Sequence, residues 1–451
     1  MATEVTTNSL DGFTREIAPR GSDFFVQFER SRPALELVNI SGKVPFNGNF
    51  TSDGRGLFFH NVIRGGPNAA VPLPEGGAYA QPSSPDRDRV RFNLRSINKR
   101  VRLTGLVKDT ATGMPYTIAD EVMFQLEQAR EDAQKEMNWT MHQDGSGLRA
   151  TLATAAAVSG GNTITVDTTD RLKVGDALNI NARATGTTLP QDVGAPSVTI
   201  GVKVTSITND TTFVVSASNG ANPQFTTLAD GSAYGVYYKG SQGQALWGFA
   251  NFTSDLNPSN HGSTVLFGDV DRSVPGNEYW NAGHRINANG AQISIRTHIQ
   301  VLQNRILKKA GTFLNGNRQL TPDNQAFMWI GFTGFEVNTA LGNALKADQT
   351  TAPNNITLKG GFRSVEYNGL VPIVDNDAPP DRLRLIHPGS LERFVNRDWS
   401  VLEETGSMWR PGSDVNGEDA DVYILTLLTR QALVGVRMNV HGEVYNLSAT
   451  F

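Results

Sequence analysis

The chain of 451 residues contains no cysteine. That absence removes disulfides, thiolate metal sites and cysteine nucleophiles together, and leaves packing and hydrogen bonding to hold the fold. Also missing is any apolar run near the ~20 residues that cross a bilayer. The first residues, Met1–Arg20, carry Glu4, Asp11 and Glu16 and lack the basic start and apolar centre of a secretory signal. Synthesis and folding in the cytoplasm is therefore the expectation. Excess charge of one sign is absent too. There are 40 basic against 44 acidic residues, a formal net charge of -4, whereas a protein that coats nucleic acid by bulk charge shows a basic surplus. Aromatic residues are sparse at 8%, while glycines number 45. Many turns and short strands fit that balance better than a helical bundle.

The signatures of common chemistry are equally thin. No G-x-S-x-G and no Walker A sequence occurs, and Ser146 has no evident activating partner. The seven histidines are scattered, with no H-E-x-x-H. Gly145-Ser146-Gly147-Leu148-Arg149-Ala150 fits G-x-G-x-x-A, but a dinucleotide site needs a strand before it and a helix after it. This stretch follows a helical pattern and precedes a β-rich one, so it reads as a helix exit. Asp375, Asp377 and Asp381 could offer oxygen ligands to a hard cation. Their spacing is not that of an EF-hand and Pro379-Pro380 interrupts them, so a solvated acidic turn is expected. No catalytic residue, metal ligand or cofactor is expected from these patterns.

At this length two or three domains are expected, at roughly 150 residues each. The first thirty or so residues show no sustained period, and 1–50 reads as an extended arm with a short helix near Phe24–Arg30, a disordered terminus being the plain alternative; the apolar Phe24, Phe25, Val26 and Phe28 need a surface to dock on. Residues 51–110 read as a long hairpin. Leu57 to Ile63 is one strand; the second starts at Arg89 with Val90, Phe92 and Leu94 on one face and Arg89, Arg91, Asn93 and Arg95 on the other. Between them Gly65 to Asp86 is rich in Gly, Pro and Ala, and a tip of this length is best supported by a neighbouring molecule.

Thr117 to about His142, within residues 111–147, is the clearest helix. Thr117 and Asp120 form a capping-box-like start. Val122, Leu126, Ala129, Ala133, Met137 and Met141 make one apolar stripe. Asp144-Gly145-Ser146-Gly147 ends it. In residues 148–241 charges thin out and short β runs recur at Thr163–Val166, Ala177–Ile180, Val198–Thr205, Thr211–Ala217 and Ala233–Tyr238. This is the pattern of a small inserted β-barrel or sandwich. Residues 242–451 mix helices, at Ile293–Lys308 and Phe335–Leu345, with strands. Phe327–Ile330 is a short apolar strand. An Asn368-Gly369 turn should join a strand within Phe362–Val374 to Leu370–Val374. Val422–Leu428 and Ala432–Val440 read as an antiparallel pair turning at Thr429-Arg430-Gln431. The fold class is α+β.

One polar feature stands out. Arg87, Arg89, Arg91, Arg95, Lys99, Arg100, Arg102 and Lys108 crowd one hairpin limb. Strand arginines with few aromatics do not make a stacking platform for bases. Pairing with acid on another subunit is the favoured reading over DNA contact, with a solvated face as the plain alternative. Asp414, Glu418, Asp419 and Asp421 form one acidic candidate and Glu403 with Glu404 another.

The order of these segments resembles the HK97-type major capsid proteins of tailed bacteriophages. Carrying the likeness are Pro74-Glu75-Gly76-Gly77-Ala78 before the alternating strand Arg89–Arg95, the capped long helix with its glycine exit, and Gln244-Ala245-Leu246-Trp247-Gly248-Phe249. So too are Tyr367-Asn368-Gly369-Leu370-Val371-Pro372-Ile373-Val374-Asp375 and the closing run Val434–Val440. The resemblance covers most of the chain. It implies an N-terminal arm, an E-loop hairpin, a P-domain with a spine helix and an A-domain, with 148–241 as an insertion a minimal member lacks. It further implies a late virion protein, without enzymatic activity, that assembles with itself into hexamers and pentamers of an icosahedral shell around double-stranded DNA. The arm and hairpin, including Glu75, would supply subunit contacts. A separate scaffolding protein and a portal are implied, with room for a decoration protein and non-specific contact of the inner face with genomic DNA, and with no membrane. The family's lysine–asparagine crosslinking pair finds no match, so no covalent crosslinks are expected. An encapsulin-like compartment shares the fold and is one alternative. A secreted β-rich binding protein is another; it would need an export route, and a carboxylate pair in a cleft if catalytic.

Overall fold

The computed structural model describes residues 34–35, 50–52, 57–60, 89–104, 118–153, 162–185, 191–192, 201–217, 224–225, 231–257, 259–260, 263–264, 268, 270–273, 282–310, 329–333, 335–348, 355–357, 363–365, 370–387, 390–402, 410–413, 419–435 and 438–448. The proposed docking residues Phe24, Phe25 and Phe28 and the long hairpin tip with Glu75 and Arg87 lie outside them.

The first strands, β1 (Phe50–Ser52), β2 (Leu57–His60) and β3 (Arg89–Phe92), form a three-stranded antiparallel sheet. The alternation read from the sequence holds in β3, where Val90 and Phe92 are buried. Phe92 packs edge-on to Trp247 and stacked on Phe252. The strand does not continue, however. It breaks at Asn93–Leu94, and β4 (Arg95–Thr104) pairs elsewhere. The single basic limb is thus two strands.

Helix α1 (Ile118–Met141) has 24 residues and a length of about 36 Å. Its described stripe residues Ala129, Ala133, Met137 and Met141 are all buried, as the three-to-four spacing requires. Past the helix end the chain turns away through Gly145, whose φ of 84° is the left-handed conformation that favours glycine. Gly248 closes over the same end. A β-carbon there would fall on the carbonyl oxygens of Thr140, Met141 and Gln143.

Next comes the inserted β-domain, built from β5 (Leu148–Thr151), β6 (Thr163–Thr165), β7 (Ala177–Ala182), β9 (Val202–Asn209), β10 (Thr212–Ala217) and β12 (Tyr234–Tyr238) in the order β5-β12-β7-β9-β10-β6. A two-residue ladder of β8 (Gln191–Asp192) and β11 (Gln224–Phe225) lies outside this sheet. The two edge strands meet: Leu152 bridges Val166, Ala153 N donates to Thr165 O and Asp167 N to Thr151 O. The sheet is therefore a closed six-stranded barrel, which leaves no free edge. Period-two alternation sends Leu178 and Ile180, Val202 and Val204, and Phe213 and Val215 inward, where they join Ile164, Leu172 and Val236 in a core of the barrel's own. Its two ends lie side by side, since Gly243 N donates to Ser146 O at 2.7 Å.

After the barrel follow α2 (Phe249–Thr253), the two-residue pair β13 (Ser259–Asn260) and β14 (Ser263–Thr264), and β15 (His284–Asn287). A π-helical turn, Ile295–Ile299, runs into α3 (Gln300–Ala310). Then come β16 (Trp329–Thr333), α4 (Phe335–Asp348), β17 (Asn355–Thr357), β18 (Arg363–Val365), β19 (Leu370–Val374), β20 (Leu383–Ile386), β21 (Leu391–Val401), β22 (Arg410–Ser413), β23 (Asp419–Gly435) and β24 (Gly442–Tyr445). Five of these make a mixed sheet in the order β15-β24-β20-β16-β19. Ile299 from the π-helical turn, Leu302 and Ile306 from α3 and Val337 and Leu341 from α4 cover it, and they pack with Leu370, Leu383, Leu385 and Val444 from the strands.

Two expectations fail here. Asn368-Gly369 does not join a hairpin: β18 pairs with β17, and β19 pairs in parallel with β16. The run Leu-Val-Pro-Ile-Val forms the edge strand of the mixed sheet, a position that tolerates Pro372, and Leu370 is buried in the core that the sheet shares with its covering helices. Nor does the chain turn at Thr429-Arg430-Gln431. β23 runs straight through it for 17 residues, with Thr429 and Gln431 buried and Arg430 exposed. The polar triplet holds no glycine, proline or asparagine, so nothing in it favours a reversal.

The chain divides into two compact units. The first takes Met1–Leu35, Arg95–Asn138 and Val395–Gln431; the second takes Glu36–Leu94, Trp139–Phe394 and Ala432–Phe451. The first is organised by β23, paired with β4 over Val422–Gln431 and with β22 at Arg410 and Pro411. The fold is α+β, mostly strands with a few helices, and carries an inserted small all-β domain.

Candidate functional site

In the second unit the most tightly built polar constellation surrounds Glu443 of β24, which is 1% exposed. Parallel pairing places Arg285 of β15 directly beside it, and antiparallel pairing does the same for Arg384 of β20. Arg285 Nε donates to Glu443 Oε1 at 2.7 Å, Arg384 Nε to Oε2 at 3.4 Å, and Arg382 Nη1 lies 3.7 Å from Oε1. Thr253 Oγ1 donates to Oε2 at 3.3 Å. Burial alone would raise the Glu443 carboxyl; Arg384, Arg382 and Arg285 outweigh it and hold the group below its ordinary value. Burial likewise lowers Arg384, against the pull of Glu443.

Arg384 also ties this cluster to the helix. Its Nη1 donates to His142 O at 2.6 Å. His142, just past α1, meets Asp375 Oδ2 through Nε2 at 2.9 Å, with both side chains essentially out of solvent. Asp377, two residues on, pairs with Arg171 of the barrel. Arg149 of β5 stacks between the rings of Trp139 and Tyr238, at 4.4 and 4.1 Å from their centroids. The acidic turn expected to be solvated is instead a buried joint. Asp375 anchors His142 at the helix exit and Asp377 clasps the barrel, while Asp381 alone of the three is substantially exposed, beside Arg382. A carboxylate 233 residues from its histidine leaves no local trace in sequence, which is why the reading missed it.

The basic and acidic residues expected to meet other subunits are only partly described. Arg89 and Arg91 lie on β3 in the second unit. Arg95, Lys99, Arg100 and Arg102 lie on β4 in the first, opposite Gln431, Leu427, Thr426 and Ile424 of β23. Arg100 is exposed; burial lowers the Arg95 guanidinium, and Lys99 Nζ pairs with Asp132 of α1 at 3.2 Å. The strand's positive charge is thus divided between its faces. Asp419 and Asp421 are on β23, whereas Lys108, Glu403, Glu404, Asp414 and Glu418 lie outside the described residues. Among the described residues no three His, Asp or Glu side chains gather as a metal site, and no helix is long and apolar enough to cross a membrane. Nothing in this arrangement forms a nucleophile, base and oxyanion set.

No protein-family model matches the chain, and no curated protein matches it. Solved structures do. The chain is similar to the holo-SrpI encapsulin complex of Synechococcus elongatus, at 9% identity over 98% of this chain and 96% of that one, with a TM-score of 0.43. It is similar to the capsid of cyanophage A-1(L), at 11% identity over 95% of each chain, with a TM-score of 0.47. It is also similar to the capsid of an empty GTA particle, at 8% identity over 99% of this chain and 100% of that one, with a TM-score of 0.43.

Proposed function

We propose that this chain is a shell-forming protein of the HK97 type, the major capsid protein of a tailed bacteriophage, with a structural rather than a catalytic role. The observation that carries the reading is the threading of the chain. A 24-residue helix leaves a unit of long strands, ends at a glycine turn, feeds an inserted barrel, continues into a helix-covered mixed sheet, and returns as a strand that pairs with β4. This is the order of spine helix, A-domain and returning P-domain strand that the sequence resemblance implies. In this reading 1–50 is the arm, 51–110 the E-loop hairpin, 111–147 the spine helix segment, 148–241 the insertion and 242–451 the A-domain and remaining P-domain. Arg100 and its β4 neighbours then serve contacts between subunits.

Subunits assemble into hexamers and pentamers of a closed shell around double-stranded DNA, aided by a scaffolding protein and a portal. Obligate interfaces of about 2,000–5,000 Å² supply the driving force. At ~25 cal/mol/Å² the gross apolar gain is tens of kcal/mol, most of it offset by association entropy and polar desolvation. The protein expressed alone or with its scaffold should sediment as large particles and show pentameric and hexameric clusters by electron microscopy. A monomer under every assembly condition would sink the proposal. Nuclease-protected DNA within purified native particles supports a virion; protein cargo without DNA supports an encapsulin-type compartment in its place.

A further inference from the structure

Arg285 has a second setting besides Glu443. It lines a cavity of about 630 Å³ together with Arg272, Arg305, Lys308, Asp255 and Leu256. Three separate pieces of chain bring the cations there. β15 supplies Arg285, α3 supplies Arg305 and Lys308 one turn apart, and the turn after Val270 supplies Arg272. Arg305 Nη1 donates to the backbone oxygen of Arg285 at 3.2 Å, which holds an otherwise exposed side chain against the strand. Arg285 is itself fixed by Glu443 and by the ring of Tyr445, 4.1 Å away. Arg272 is 2% exposed, and its Nη1 is held by the carbonyls of Asn251, Ser254 and Leu256 at 2.9–3.1 Å.

Arg272, Arg305 and Lys308 thus join Arg285, whose charge Glu443 already matches, against one lining carboxylate, Asp255, which is half exposed and 3.7 Å from Arg285 Nη1. The chain as a whole carries a net charge of -4, so this local surplus is a departure from its average. Burial pulls Arg272 down to about 9, so a neighbouring anion would relieve a real cost. A carboxylate is satisfied by one guanidinium fork, and the chain already provides Glu443 for that purpose. A phosphate group carries up to two charges and three free oxygens, and matches several cations converging from different directions. The volume lies within the ~300–1,000 Å³ of ligand sites, well beyond a bare phosphate, and Leu256, 60% exposed, offers an apolar face to an organic portion.

We propose that this cavity binds the phosphate group of a phosphate ester. The site stands on its own geometry and does not depend on the shell reading.

The test is titration of the full chain, at fixed ionic strength, with inorganic phosphate, with adenosine monophosphate, with a short DNA duplex and with an oligoglutamate peptide. Saturable binding of at least one phosphate-bearing probe is expected. The double variant Arg305→Ala/Lys308→Ala should weaken it by at least about tenfold. Both residues are exposed, so folding should survive, and Lys203→Ala/Lys239→Ala, at two exposed positions of the barrel, is the charge-matched control. Tightest binding of the duplex would identify the source as a nucleic-acid backbone, of the nucleotide a small ester, and equal binding of free phosphate an ion-sized site. No saturable binding of any phosphate probe overturns the proposal. So does binding that the double variant leaves unchanged, or binding of oligoglutamate alone.

Discussion

At the scale of single residues, the design rests on charge buried in pairs. Removing one partner of such a pair strands the other, at a cost of about 3–5 kcal/mol. Glu443→Gln should therefore lower stability by that order at neutral pH, read from thermal or denaturant unfolding. The folded carboxyl lies below its ordinary 4.5, so the folded state binds fewer protons than the unfolded chain in the acid range. Its contribution is complete above 4.5 and fades as pH falls through the depressed folded value. The gap between wild type and Glu443→Gln should accordingly narrow on acidification; a constant gap from pH 7 to pH 2 would contradict the assignment. A second substitution, Gly248→Ala, drives a methyl group into three carbonyl oxygens at the end of α1. A loss of about 1–3 kcal/mol is expected, measured as a shifted denaturant midpoint. Neither site was legible beforehand. Gly248 sat in a motif noticed only for its likeness to a family segment, and Glu443 is one of several polar residues in Asn439–Asn446, with partners that arrive from strands far away in sequence.

At the scale of elements, local pattern did most of the work. The apolar stripe of α1, the recurrent β runs of the insertion and the two helices of the mixed sheet all lie within a few residues of their predicted places, because each buries one face and its period records that. What failed was pairing. Nothing within Leu370–Val374 says that its neighbour is Trp329–Thr333 rather than the strand just before it, and partner choice is decided by the whole sheet. The barrel supports a separate prediction. With a closed edge, its own core and adjoining ends, residues 148–240 should fold when expressed alone, giving a dispersed NMR spectrum and a cooperative melt. Replacing them in the full chain by a short glycine-serine link should leave the remainder folded but less stable, because Trp139 and Asp377 lose Arg149 and Arg171. A barrel segment that stays unfolded on its own would show that it depends on its host.

At the scale of the molecule, two units are assembled from interleaved segments, an arrangement no local signal reports. The proposed shell adds a further expectation. If the exposed Arg100 on β4 meets acid on a neighbour, Arg100→Glu should slow particle formation in light scattering while the melting temperature of the unassembled protein moves little, since an exposed charge contributes at most about 1 kcal/mol within its own chain. The ladder of β4 with β23 has one more consequence. Val101 sits opposite Leu425, so a ribosome must deliver the chain through Leu425 before this ladder of the first unit can close, and contacts so remote in sequence form slowly. A copy that stops short of β23 cannot present a finished first unit. In the proposed shell, copies that lack β23 would thereby be kept out of the growing lattice.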